Sequence, residues 1–196
     1  MLPQQLAGFT ERLCAVLASR TAERVERPEA RRAAVAALVT AGREPAILFI
    51  KRRERVGDPW SGQMALPGGF SSPADDSLET TARRETEEET GISLADAGVL
   101  VGALDDVSPR TPYLPPLVVT PYVFLVPREL AAKAGPEAEE AVWLKVRDLF
   151  DPGLRKPFRL SFQGEVREFE SIVVGDYTIW GLTERVLQQL NAAVGS

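Results

Sequence analysis

Among its 196 residues the chain has no histidine and one cysteine, Cys14. The missing histidine removes Ser–His and Cys–His nucleophiles, histidine-bound zinc and imidazole acid–base chemistry together. The lone cysteine excludes an internal disulfide framework and leaves the cytoplasm as the expected compartment. Long apolar runs are also missing. The longest unbroken one is Ala33 to Val39, far short of the ~18 residues of a membrane helix, so no membrane partner is expected. The first twenty residues include Gln4, Gln5, Glu11 and Arg12, unlike a secretory leader. Positive charge is in short supply: 23 basic against 28 acidic residues leave −5, which argues against nucleic acid as a partner. An enzyme made from this chain must work with carboxylates or a hard metal ion.

What is present describes one α/β domain with an N-terminal helix. Apolar residues make up 44% and charged residues 26%, ordinary globular values. Leu2, Leu6, Phe9, Leu13 and Leu17 form a helical stripe ending before Pro28, which sets residues 1–28 apart as an extension packed on a domain of 29–196. Ala33–Val39 and Ala46–Ile50 read as two strands joined by a turn. Val99–Leu104, Leu117–Val126 and Ala141–Val146 read as further strands, and Pro121 in the second implies a bulge or an edge position. A hairpin is expected around Gly164, and Ile179, Leu182, Val186 and Leu190 carry a final helical period. Trp143, Trp180 and Cys14 are expected in the core, and Trp60 as support for its loop.

Ser77 to Thr90 is the best-marked helix. Asp76 is the expected N-cap, with Glu79 completing a capping box, and Gly91 sits where a left-handed C-terminal residue belongs. Leu78, Ala82 and Thr86 form its buried stripe. The segment "RRETEEETG" then places four glutamates at the end where the helix dipole is negative, each losing roughly 0.3–1 kcal/mol there. Glu85, Glu88 and Glu89 project from one sector, and Glu87 points elsewhere. From Asp75 to Glu89 there are seven acids and two arginines, a local net of −5. A solvated acidic face is one reading; it normally interleaves lysines, and none occurs here. The other is a divalent cation, since magnesium takes one or two carboxylates plus phosphate and water. "ALPGGF" just upstream offers two glycines where a backbone can approach a ligand or turn tightly.

Together "GGFSSPADDSLETTARRETEEETGI" resembles the Nudix box, G-x5-E-x7-R-E-U-x-E-E-x-G-U with U aliphatic. Arg84, Glu85, Glu88, Glu89, Gly91 and Ile92 match its second half, and Thr86 departs from it. The box glutamate falls on Asp76, with the loop from Gly69 one residue longer than the pattern. "GQMALPGG" and "IWGLT" are similar to the coenzyme A diphosphatase branch. Asp58 stands where that branch carries arginine and Leu66 where it carries phenylalanine; Arg52, Arg53 and Arg55 are nearby substitutes.

The resemblance implies an α/β/α sandwich with a mixed sheet over about Glu29 to Leu190. It implies Mg²⁺ or Mn²⁺ held by Glu85, Glu88 and Glu89, helped by a carbonyl of Gly68 or Gly69, and Arg84 as an orienter of a glutamate. The implied substrate is a small molecule, a nucleoside diphosphate linked to another moiety, coenzyme A-like by preference. ADP-ribose, a nucleotide sugar, or a catalytically inactive ligand-binding module are the alternatives. Glu88 is the first candidate for the general base; Glu139, Glu140, Asp105 and Asp106 are candidates outside the box. Arg52, from the cluster Lys51–Arg55, is the candidate phosphate ligand, with protection of a sheet edge as its alternative role. A homodimer through the N-terminal helix stays open.

Overall fold

The computed structural model describes residues 8–54, 61–109, 115–162 and 165–195; Leu2, Leu6, Arg55, Asp58, Trp60 and Gly164 lie outside them. Alternation along one strand organises the whole molecule. In β1 (Arg31–Thr40), Ala33, Ala37 and Val39 enter one apolar cluster while Ala34, Ala36 and Leu38 enter another. A strand covered on both faces reads as the continuous apolar run noted above.

β1 runs parallel to β6 (Leu117–Val126), with pairs from Arg31↔Leu117 to Thr40↔Val126. Antiparallel neighbours complete a mixed sheet: β2 (Ala46–Arg52), β3 (Met64–Ala65), β4 (Gly68–Phe70), β5 (Val99–Ala103) and β7 (Ala138–Lys145). On one face α2 (Leu78–Thr90), the short α3 (Leu94–Ala97) and the link between them supply Ala82, Leu94 and Ile92 to the core. On the other lie α1 (Phe9–Ser19) and α5 (Gly181–Gly195), linked by Arg12 Nε donating to the Val194 carbonyl. Beside them is a small antiparallel sheet of β8 (Arg155–Phe162), β9 (Glu165–Val174) and β10 (Tyr177–Trp180). α4 (Val146–Leu149) closes the run after β7. The result is the expected α/β/α sandwich with an N-terminal helix.

Several local expectations are corrected. The N-cap of α2 is Ser77, whose side chain accepts from the Thr80 N–H at 3.1 Å, not Asp76. Pro121 lies at neither an edge nor a bulge of its own strand, since β6 is flanked by β1 and β5. β5 ends opposite Tyr122, and just past it the Leu104 N–H donates to the Pro121 carbonyl at 2.9 Å, so pairing there asks for no N–H from the proline. Lys51 and Arg52 are flanked by β7 and, at Lys51, by β3, so edge protection is not their role. Ile179 and Trp180 end β10 instead of starting the last helix. Cys14, Trp143 and Trp180 are partly buried, not core.

Candidate active site

α2 presents its acids to the glycine strand. The close contact is built into the sequence: a Cβ on Gly69 would meet the Glu85 carboxyl at 2.4–2.6 Å, and one on Gly68 would meet the Ala34 carbonyl at 2.3 Å. The Gly68 N–H donates to Glu89 Oε2 at 2.9 Å. The glycine pair is thus strand, not tight turn: bare Gly69 admits the Glu85 carboxylate, while bare Gly68 admits β1 and turns its N–H to Glu89.

Arg84 holds this arrangement at its other end. Its Nε and Nη2 donate to the two oxygens of Asp75, each at 3.0 Å, and Nη2 also reaches the Phe70 carbonyl at 3.2 Å. Asp75 further accepts from the Ser72 N–H and the Thr81 hydroxyl, and Arg84 foremost holds its carboxyl below the ordinary range. The expected partner, Asp76, does not make this pair. Gly69-x5-Asp75 keeps the pattern's first spacing, so the extra residue lies between the acid and the arginine. Nη1 of Arg84 turns to Glu85 at 2.6 Å and to Glu88 at 3.3 Å.

The misplaced charge at the end of α2 is answered partly by the backbone. The Gly91 N–H, with φ 70°, caps the Glu87 carbonyl, and the N–H groups of Gly135 and Lys133 cap those of Glu89 and Thr90. These bonds satisfy carbonyls that a helix end otherwise leaves bare. They also bring the segment before β7 onto α2, and with it Glu137, whose charge acts on both Glu85 and Glu89. Nothing in the spacing of the sequence marks Glu137; only the fold brings it here.

Glu89 is 5% exposed, and burial raises its pKa to about 7, opposed by the Gly68 N–H and reinforced by Glu85. Burial also raises Glu85, opposed by Arg84 and reinforced by Glu88 and Glu137. Arg52 acts in the other direction on Glu89. Glu88 stands exposed. Among the described residues no three acids are drawn into a ready-made cation cluster. Arg84 stands between Glu85 and Glu88, in place of the three-way convergence that helix spacing suggested. The donor set is nonetheless all oxygen, set against bare backbone and charged beyond what Arg84 neutralises, and it suits a hard divalent ion.

The acids outside the box are engaged elsewhere. Glu139 pairs with Lys51, Glu140 accepts from the Tyr177 hydroxyl, and Asp105 pairs with Arg20. Asp106 accepts from Arg24, Arg32 and Thr120. None of these four is brought to the box carboxylates.

The NUDIX domain model matches residues 30–162. An uncharacterised Nudix hydrolase, NudL of Photorhabdus laumondii, is 31% identical over 151 residues, 73% of this chain and 74% of that protein. An uncharacterised Schizosaccharomyces pombe protein is 39% identical over 112 residues, 55% of this chain; the match spans only 34% of that relative's length. A MutT/nudix family protein of Enterococcus faecalis superposes with a TM-score of 0.54 at 20% identity, covering 100% of this chain and 75% of the other, which shows a shared fold.

Proposed function

Because this chain belongs to the NUDIX domain family and aligns over most of its length with a relative named as a Nudix hydrolase, we propose that it is an enzyme hydrolysing phosphoanhydride bonds. The proposed reaction cleaves the diphosphate of a nucleoside diphosphate joined to another moiety, and depends on Mg²⁺ or Mn²⁺. A coenzyme A-like compound is the favoured substrate; the "GQMALPGG" and "IWGLT" segments support that choice. The observation that carries the reading is Glu89, a buried carboxylate with one backbone donor, placed beside Glu85 and a glycine backbone.

Glu85, Glu88 and Glu89 would hold the cation, helped by a carbonyl of Gly68 or Gly69. When bound, it supplies Lewis-acid neutralisation of the phosphates and lowers the pKa of a water. The chain's own residues do the rest. Asp75 fixes Arg84 through two parallel hydrogen bonds, and Arg84 in turn orients the Glu85 and Glu88 carboxylates. Arg52, across from Glu89, is the phosphate ligand. Glu88, exposed and able to take a proton from water, serves as general base; Glu137 is a second acid at the same place.

The test is product analysis with coenzyme A, ADP-ribose and a dinucleoside polyphosphate side by side, with and without Mg²⁺. Metal-dependent splitting of one of them at a phosphoanhydride bond into two products, each ending in a phosphate, supports the proposal. Cleavage of none, with ligands bound equally by wild type and Glu89→Gln, would indicate a binding module instead.

A further inference from the structure

Next to the diphosphate site, but outside it, is a cavity of about 310 Å³ between the β2–β3 edge and the small sheet. Its volume lies at the lower end of small-molecule sites, roughly 300–1,000 Å³. One wall is aromatic: Trp180 stacks on Phe158 with ring centroids 4.8 Å apart, and Phe169 props Trp180 at 5.2 Å. Tyr177 also lines it, its hydroxyl held by Glu140 at 2.7 Å. Polar groups line it as well: Lys51, Gln63 and Asp176. Lys51 is already paired with Glu139 at 3.1 Å, so the cavity offers little positive charge to a phosphate.

Resting on the reading above, we propose that this cavity receives the base of the substrate's nucleoside. A nucleobase is flat, neutral and edged with donors and acceptors, which matches a wall of rings beside an amide and a carboxylate. Base–aromatic stacking needs only a π-face. A flexible pantetheine arm can hydrogen-bond to the amide and carboxylate too, but it has no flat face to lay on the rings, which favours the base.

The strands connect this cavity to the acids. Lys51 and Arg52 are consecutive at the end of β2, with a register shift between them, one lining the cavity and the other acting on Glu89. Met64 lines the cavity too, and Gly68, four residues on past a bend at Pro67 and so within about 13 Å, donates to Glu89. A base in the cavity would leave its 5′-diphosphate within reach of the acids.

The test uses the full chain, without metal, titrated with adenosine and followed by tryptophan emission and ligand-observed NMR. Wild type should bind adenosine saturably. Thr178→Phe, which places a ring in the cavity, should weaken binding at least about ten-fold with an unchanged thermal midpoint; Trp180→Leu should weaken binding likewise, with a lowered midpoint because it gives up its packing on Phe158 and Phe169. With Mg²⁺, the Thr178→Phe change should raise KM for coenzyme A by a similar factor and leave kcat unchanged. Adenosine titration needs neither metal nor turnover, so Glu89→Gln should lose hydrolysis and keep adenosine binding. No adenosine binding to wild type, or equal binding to both cavity variants, overturns the proposal even where coenzyme A is cleaved. Displacement of pantetheine but not adenosine by the Thr178→Phe change overturns it as well.

Discussion

The protein buries two acids in opposite ways. Asp106, with its side chain fully enclosed, accepts hydrogen bonds from Arg24, Arg32, the Thr120 hydroxyl and the Val25 N–H. It ties the segment between α1 and β1 to the parallel pair β1–β6. Glu89 is nearly as deeply placed, yet among the described residues it accepts from the Gly68 N–H alone and faces further carboxylates. The first arrangement minimises the cost of burying a charge, and the second leaves it unmet. A saturated buried acid is structural. An unsaturated one, beside like charges and against bare backbone, is held ready for something that folding itself does not provide.

That contrast is most directly broken by neutralising each acid in turn. Glu89→Gln should reduce metal-dependent turnover by about 10²–10³-fold, the scale of removing one electrostatic stabiliser, while raising the metal-free thermal midpoint. Asp106→Asn should do the reverse, preserving kcat and costing about 1–3 kcal/mol of stability, because its donors lose a charged acceptor. Calorimetric melting with parallel kinetics checks both signs. If Glu89→Gln destabilises the metal-free protein, the distinction between the two acids collapses.

Arg84 sharpens the comparison one step further from the cation. Asp75→Asn should cost about 10–100-fold in activity, as for residues that orient ligating groups. Asp76→Asn should change stability by less than about 0.5 kcal/mol and leave turnover alone, and steady-state kinetics of the pair decide which aspartate anchors the arginine. Gly69→Ala should weaken activation by Mn²⁺, since its methyl group occupies the place of the Glu85 carboxyl; overpacking of this kind costs about 1–3 kcal/mol, read as a lowered midpoint in denaturant.

The same burial of Glu89 also sets a pH dependence. Glu89 titrates near 7 in the fold against roughly 4.3 unfolded, so the native state binds more protons in between. Metal-free stability should fall as pH rises through that window, by up to about 3 kcal/mol. Denaturant melts at pH 5 and 8 check the slope, which Glu89→Gln should flatten.

Much of this was legible in the sequence. Arg84, Glu85, Glu88, Glu89 and Gly91 lie at spacings that survive any detail of packing, and the unbroken apolar run of β1 is what a strand covered on both faces leaves in a sequence. Asp75 was misread as Asp76 because counting back from Arg84 cannot tell on which side of the acid an extra residue falls; the answer depends on how the Ser72–Ser77 turn is folded. Glu137 and the aromatic cavity were invisible for a different reason. Glu137 comes to Glu89 through the Gly135 N–H bond to α2, and Trp180 comes to line one cavity with Lys51 through sheet packing, and neither arrangement has a local sequence period. Trp180 looked like core because its neighbours alternate as core does.

The most direct test is calorimetric titration of the metal-free protein with Mn²⁺ near pH 6.5, repeated in buffers of different ionisation heat. A cation entering among Glu85, Glu88 and Glu89 must expel the proton that burial keeps on Glu89, so wild type should bind Mn²⁺ and release a sizeable fraction of one proton. Glu89→Gln should bind far more weakly and release none. Absence of Mn²⁺ binding to wild type, or identical affinity and proton release in both proteins, contradicts the account.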